Sequence, residues 1–156
     1  MAIEIERKFL LASDDWRALV RESQTLRQGY LSTSGSGVTV RVRTIDDRQG
    51  FITIKSGGSA LARAEFEYEV PIGDARQLLA LSRGTQIEKT RHLLDLPGGD
   101  WVVDEFLGRH RGLIVAEVEL ESPTAPLDLP GWLGEEVTGN PQYYNSSLAM
   151  LVGGEI

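Results

Sequence analysis

The sequence predicts an α+β fold built mainly from antiparallel strands, as a sheet or barrel with a few helices packed on it. Three observations predict it. Apolar and polar residues alternate with a period of two along most of the chain, which is strand spacing. Short Gly/Ser-rich pieces (Ser32 to Gly37, Ser56 to Ser59 and Pro97 to Gly99) each separate two alternating segments, as hairpin loops do. Helical periods are few, and many closely spaced strands with few helices fit an antiparallel architecture.

The elements follow in chain order. Strands are expected near residues 2–11, 25–33, 37–46, 50–56, 61–71, 86–95, 100–107 and 112–121. Ser13 is placed to cap a short helix carrying Trp16, Leu19 and Val20 on one side. Asp74 is expected to start a second helix, with Leu78, Leu79 and Leu81 on its apolar side and a stop near Gly84. Asn145 to Val152 reads as a C-terminal helix. No internal repeat, low-complexity tract or linker divides the 156 residues, so a single domain over 1–156 is expected.

Bulk chemistry narrows the function. The formal net charge of −7 argues against a nonspecific nucleic-acid binder, which needs a basic surface. There is no cysteine, hence no disulfide framework and no thiolate metal site. The first eleven residues carry Glu4, Glu6, Arg7 and Lys8 and lack the apolar core of a signal peptide. No stretch approaches the roughly 20 apolar residues of a membrane helix. A cytoplasmic protein without membrane or nucleic-acid partners is expected, and a homodimer is allowed.

The informative feature is which strand face carries charge. Residues i and i+2 of a strand point the same way, about 7 Å apart. Ile3, Ile5 and Phe9 share one face of the first strand, and Glu4, Glu6 and Lys8 share the other. Val38, Val40 and Val42 oppose Arg41 and Arg43, and Ile52 and Ile54 oppose Lys55. Phe66, Tyr68 and Val70 oppose Arg63, Glu65 and Glu67, while Trp101 and Val103 oppose Asp104. Val118 and Leu120 oppose Glu117 and Glu119, and Lys89 and Arg91 form another same-face pair. A solvated sheet face is the plain reading of any one strand. Repeated pairs of like charge ask for more. Paired carboxylates gain from a divalent cation, and oxygen-only ligands suit Mg²⁺, Mn²⁺ or Ca²⁺ rather than Zn²⁺. Paired guanidinium and ammonium groups gain from a polyanion, Arg by bidentate forks and Lys as a point charge. One face with both sets suits a metal–phosphate complex.

These residues resemble a known family. Glu4-Ile-Glu6-Arg-Lys8 reads as the E-x-E-x-K signature of the CYTH, or triphosphate tunnel metalloenzyme, superfamily. It is followed in order by Arg41-Val-Arg43, Thr53-Ile-Lys55, Arg63-Ala-Glu65-Phe-Glu67, Glu88-Lys89-Thr-Arg91, Val103-Asp104 and Ala116-Glu117-Val-Glu119. Gly134-Glu-Glu136-Val-Thr138 and Tyr143-Tyr-Asn145 come last. The short form is most similar to bacterial inorganic triphosphatases. The resemblance implies an eight-stranded closed β-barrel, or tunnel, with helices outside. It implies that Lys8, Arg41, Arg43, Lys55, Arg63, Lys89 and Arg91 grip substrate phosphates. It implies Mg²⁺ or Mn²⁺ held chiefly by Glu4, Glu6, Glu117 and Glu119, with Glu65, Glu67 and Asp104 as further candidates. Tyr30 matches a tyrosine that pairs with the signature lysine in some members.

The expected reaction is metal-dependent hydrolysis of inorganic triphosphate to phosphate and diphosphate, with Lys8, Tyr30, Glu6 and Glu119 as catalytic candidates. Two other readings share the scaffold: a class IV-type adenylate cyclase, and a hydrolase of ATP or thiamine triphosphate. A polyphosphate-binding module is the reading without catalysis. His92 and His110 are expected at the surface or in loops, and Trp16, Trp101 and Trp132 in packing roles.

Overall fold

In the computed structural model, residues 2–32, 37–56 and 62–150 are described. Residues 33–36, 57–59, 61 and 151–152 of the expected elements lie outside them. Eight strands close a barrel: β1 (Ala2–Leu11), β2 (Val20–Ser32), β3 (Val38–Ile45), β4 (Gln49–Ser56), β5 (Ala62–Val70), β6 (Arg83–Leu94), β7 (Asp100–Phe106) and β8 (Ile114–Glu119). Neighbours run β5-β4-β3-β2-β6-β7-β8-β1, and β5 pairs with β1 to complete the ring. Every pairing is antiparallel. Closure splits β1 between partners, Ala2–Ile5 against β5 and Glu6–Leu10 against β8.

A ninth strand, β9 (Leu133–Glu136), pairs with the far end of β1. No strand was expected there, since four residues ending in two glutamates give no alternating period. β2 begins five residues earlier than expected, because Val20 to Gln24 continue the ladder with β6 across a bulge. Val20 therefore leaves the first helix, which is a single 3-10 stretch, Asp15–Leu19. Its N-cap is Asp14 rather than Ser13, although Ser13 Oγ accepts from the Asp15 amide at 3.3 Å. α1 (Ile72–Ala80) starts before Asp74. Pro71 sits at its N-cap, a place where a missing N–H costs little, and its carbonyl accepts from the Ala75 amide at 3.0 Å. Leu81 falls beyond the helix and is 71% exposed. Gly50 admits α1 to the barrel wall, since a Cβ there would collide with Ala75 Cβ. α2 (Asn145–Met150) is the C-terminal helix.

The main hydrophobic core lies outside the barrel. Outward residues Ile5, Phe9, Trp101, Val103, Ala116 and Val118 pack with Trp16 and Trp132, which the 3-10 stretch and the segment before β9 lay over them. A smaller cluster under α1 holds Val42, Ala75 and Leu79. A third closes one end of the barrel, where Leu148 and Ala149 of α2 pack on Ile87, Phe106, Val115 and Leu10. This arrangement frees the inward faces for charge.

Neither histidine is at the open surface: His92 lies on a strand, and His110 is in a loop connection but buried. His110 is 2% exposed, and its Nε2 meets the Leu148 carbonyl at 2.9 Å, tying the β7–β8 connection to α2. His92 lies on β6 between the Trp16 ring and Glu105, with Nε2 2.7 Å from the carboxylate. Each supplies a ring that packs and a nitrogen that satisfies a neighbour. Among the described residues no helix is long and apolar enough to cross a membrane.

Candidate active site

A cavity of about 480 Å³ fills the barrel, within the size range of small-molecule sites. Strand parity places the charges along it. All seven bases singled out from the sequence line the cavity: Lys8 on β1, Arg41 and Arg43 on β3, Lys55 on β4, Arg63 on β5, and Lys89 and Arg91 on β6. Six of the seven acids also line it, as Glu4 and Glu6 on β1, Glu65 and Glu67 on β5, and Glu117 and Glu119 on β8. Tyr30 of β2 lines it as well.

Asp104 is the acid that does not line the cavity. It is 1% exposed, on the inward parity of β7 but engaged by Arg91 and Lys89. Arg91 donates Nε and Nη2 to its two oxygens at 2.8 Å each, and Lys89 Nζ reaches Oδ2 at 2.8 Å. Burial opposes its charge, but Arg91 and Lys89 outweigh burial and hold the carboxyl well below its usual range. Lys89 itself is pushed down by burial and by Arg91 and Arg43 beside it, against the pull of Asp104.

The remaining charges divide into paired and unpaired groups. Lys55 Nζ donates to both oxygens of Glu4 at 2.9 and 2.8 Å and lies 3.7 Å from Glu65. Burial, then the hydrogen bond and charge of Glu4, push Glu65 up to about 7. Lys8 Nζ lies 3.5 Å from Glu117 and donates to the Tyr143 carbonyl at 3.2 Å. Burial lowers the Lys8 pKa, but Glu117, Glu6 and Asp104 outweigh it and hold the ammonium above its usual value. Glu117 is likewise held down to about 2, because Lys8 and Arg91 overcome its burial. Lys8 and Tyr30 share the lining without a hydrogen bond between them; Tyr30 Oη instead accepts from Gln28 Nε2 at 3.4 Å.

Glu6 and Glu119 are different. They face each other across β1 and β8, and among the described residues neither makes a salt bridge. Burial, then the charges of Glu117 and Glu4, push Glu6 up to about 7. Glu119 is raised by burial, then by Glu4 and Asp100. Across the cavity, Arg41 donates to Thr53 Oγ1 at 3.1 Å, yet its buried Nε–H has no acceptor among the described residues. The cavity thus holds carboxylates short of a cation on one side and a guanidinium short of an acceptor on the other.

Oxygen donors with excess negative potential fit Mg²⁺ or Mn²⁺, which bind through carboxylates and substrate phosphates together. Among the described residues no three carboxylates already converge as a metal site. Glu4 is turned to Lys55, and Glu117 to Lys8 and Arg91.

Several further lining residues were not singled out as site residues. Thr39 and Thr53 share parity with Arg41 and Lys55, and Asp100 with Asp104, so a stricter reading of parity would have found them. Thr138, Tyr144 and Asn145 arrive from the segment after β9, which has no period to read.

The CYTH domain model matches residues 2–149. The inorganic triphosphatase of Acetivibrio thermocellus is 41% identical over 149 residues, covering 95% of this chain and 94% of that protein. The inorganic triphosphatase of Nitrosomonas europaea is 37% identical over 152 residues, covering 96% and 98%. A crystal structure of an inorganic triphosphatase superposes with a TM-score of 0.70 at 35% identity, covering 99% of both chains. With its signature residues on the wall of a closed eight-stranded barrel and a family match over nearly its whole length, the chain belongs to the CYTH domain family.

Proposed function

We propose that this chain hydrolyses inorganic triphosphate to phosphate and diphosphate with a divalent cation, Mg²⁺ or Mn²⁺. One observation carries the reading: around one cavity, and among the described residues, Glu6 and Glu119 lack a cationic partner while the buried Arg41 Nε–H lacks an acceptor. A metal–triphosphate complex meets both needs at once, and both relatives at 41% and 37% identity are inorganic triphosphatases.

Glu6 and Glu119 would hold the cation, with Glu4 and Glu117 beside them and Glu65 and Glu67 farther along the wall. When bound, the cation supplies positive charge at the phosphate oxygens and favours ionisation of water. Arg41, Arg43, Lys55, Arg63 and Arg91 bind the phosphates and stabilise charge that grows on the transferred phosphoryl group. Asp104 orients Arg91 and Lys89. Of Glu6 and Glu119, the carboxylate not engaged by the cation takes a proton from the attacking water. Lys8 stays protonated and, with Tyr30, serves the leaving diphosphate oxygen.

Separate incubations with inorganic triphosphate, ATP and thiamine triphosphate test the substrate. Fastest phosphate release from inorganic triphosphate is expected. Cyclic AMP from ATP would replace the reaction, and tight binding without any product would replace catalysis with storage.

A further inference from the structure

Gln28 on β2 carries no charge and does not line the cavity, yet it is 0% exposed. Its side-chain oxygen accepts from Arg43 Nε at 3.0 Å. Its nitrogen donates to Asn145 Oδ1 at 3.2 Å, and that same oxygen accepts from Lys89 Nζ at 2.9 Å. Arg43 Nε and Lys89 Nζ can only donate. The two cations therefore fix both amide orientations, and Gln28 Nε2 is left facing Asn145 Oδ1. The relay Arg43–Gln28–Asn145–Lys89 crosses β3, β2, α2 and β6.

The charge of the acceptor matters. Arg43 is half-buried near the charges of Arg41 and Arg91, and among the described residues it makes no salt bridge. Its hydrogen-bond partner is a neutral amide. Such a partner fixes Nε without cancelling the positive charge, and Arg43 lines the cavity with that charge intact. A glutamate would fill the same space and neutralise it.

We propose that Gln28, braced by Asn145, is a positioning residue that aims the uncancelled charge of Arg43 at the substrate and ties it to Lys89. The inference rests on the triphosphatase reading of this cavity. It adds a residue that does not itself line the cavity yet sets phosphate affinity.

The test is a double-mutant cycle on KM and kcat for triphosphate, with melting temperature as the folding control. Gln28→Leu is expected to raise KM about tenfold, from one charge-assisted hydrogen bond lost, with kcat little changed. In an Arg43→Met background the same change is expected to add less than about twofold, since its route to substrate is gone. Gln28→Glu keeps the shape if the leucine variant folds poorly, and is expected to raise KM by cancelling Arg43. Calorimetric binding of triphosphate in EDTA should rank the variants the same way. An unchanged KM in Gln28→Glu, or an equal Gln28→Leu effect with and without Arg43, overturns the positioning role while wild-type turnover leaves the function standing. A wild type that neither binds nor hydrolyses triphosphate overturns both.

Discussion

Asp104→Asn removes one negative charge and almost no volume from the most buried ion cluster in the barrel. Asp104 is bonded to Arg91 at 2.8 Å twice and to Lys89 at 2.8 Å, and both Asp104 and Lys89 are 1% exposed. Removing one partner of a buried pair costs about 3–5 kcal/mol, because the cations left behind stay desolvated. For a chain of this length each kcal/mol shifts Tm by about 2–4 °C, so a fall of roughly 6–20 °C is expected. Lys89 sheds its proton more readily without Asp104, which places the result toward the lower end. Triphosphate reverses part of the loss. A polyanion in the cavity restores negative charge beside Arg91 and Lys89, so the ligand-induced rise in Tm should be larger in the variant than in the wild type. The assay is thermal unfolding in EDTA with and without triphosphate. A variant melting within about 2 °C of wild type, or equal ligand shifts in both proteins, would refute the reasoning.

Four further outcomes follow from the same geometry. Glu6 must lose its proton to hold a cation, and its pKa is pushed up to about 7 by burial and by Glu117 and Glu4, so Mn²⁺ affinity should fall as pH drops through 7. One such proton makes the fall about 30-fold between pH 8 and 5.5; a flat titration excludes Glu6 as a ligand. The stability sign is opposite: a carboxyl raised above its unfolded value makes the metal-free protein lose stability as pH rises from about 4.5 to 7, and Mg²⁺ should suppress that loss. Arg41→Met should weaken triphosphate binding by roughly 1.5–3 kcal/mol by calorimetry, the worth of a charged hydrogen bond. Leu148→Ala should cost about 2–5 kcal/mol in urea unfolding, since Leu148 fills the apolar end of the barrel beneath α2.

Much of the site was legible because strands alternate strictly. Once the first strand was read by parity, Glu4, Glu6 and Lys8 had to share a face, and the same rule aligned Arg41 with Arg43 and Glu117 with Glu119. Closure was not legible from parity: the pairing of Ala2–Ile5 with β5 joins residues some sixty positions apart and leaves no local mark. Asp104 obeys the parity but not the exposure, since its depth is set by the register that lays Arg91 opposite it. Gln28 escaped because a lone neutral residue on a strand has no charge to betray its partner. His110 looked like a loop residue and is one by position, but its burial depends on α2 folding back over the barrel end.

The most direct test of the account is phosphorus NMR of inorganic triphosphate incubated with the purified chain, with Mg²⁺, with Mn²⁺ and with EDTA. The account predicts phosphate and diphosphate in equal amounts with metal, none in EDTA, and loss of product in Glu119→Gln. Triphosphate left intact under every metal, or products released at the wild-type rate by Glu119→Gln and Arg41→Met alike, would contradict it.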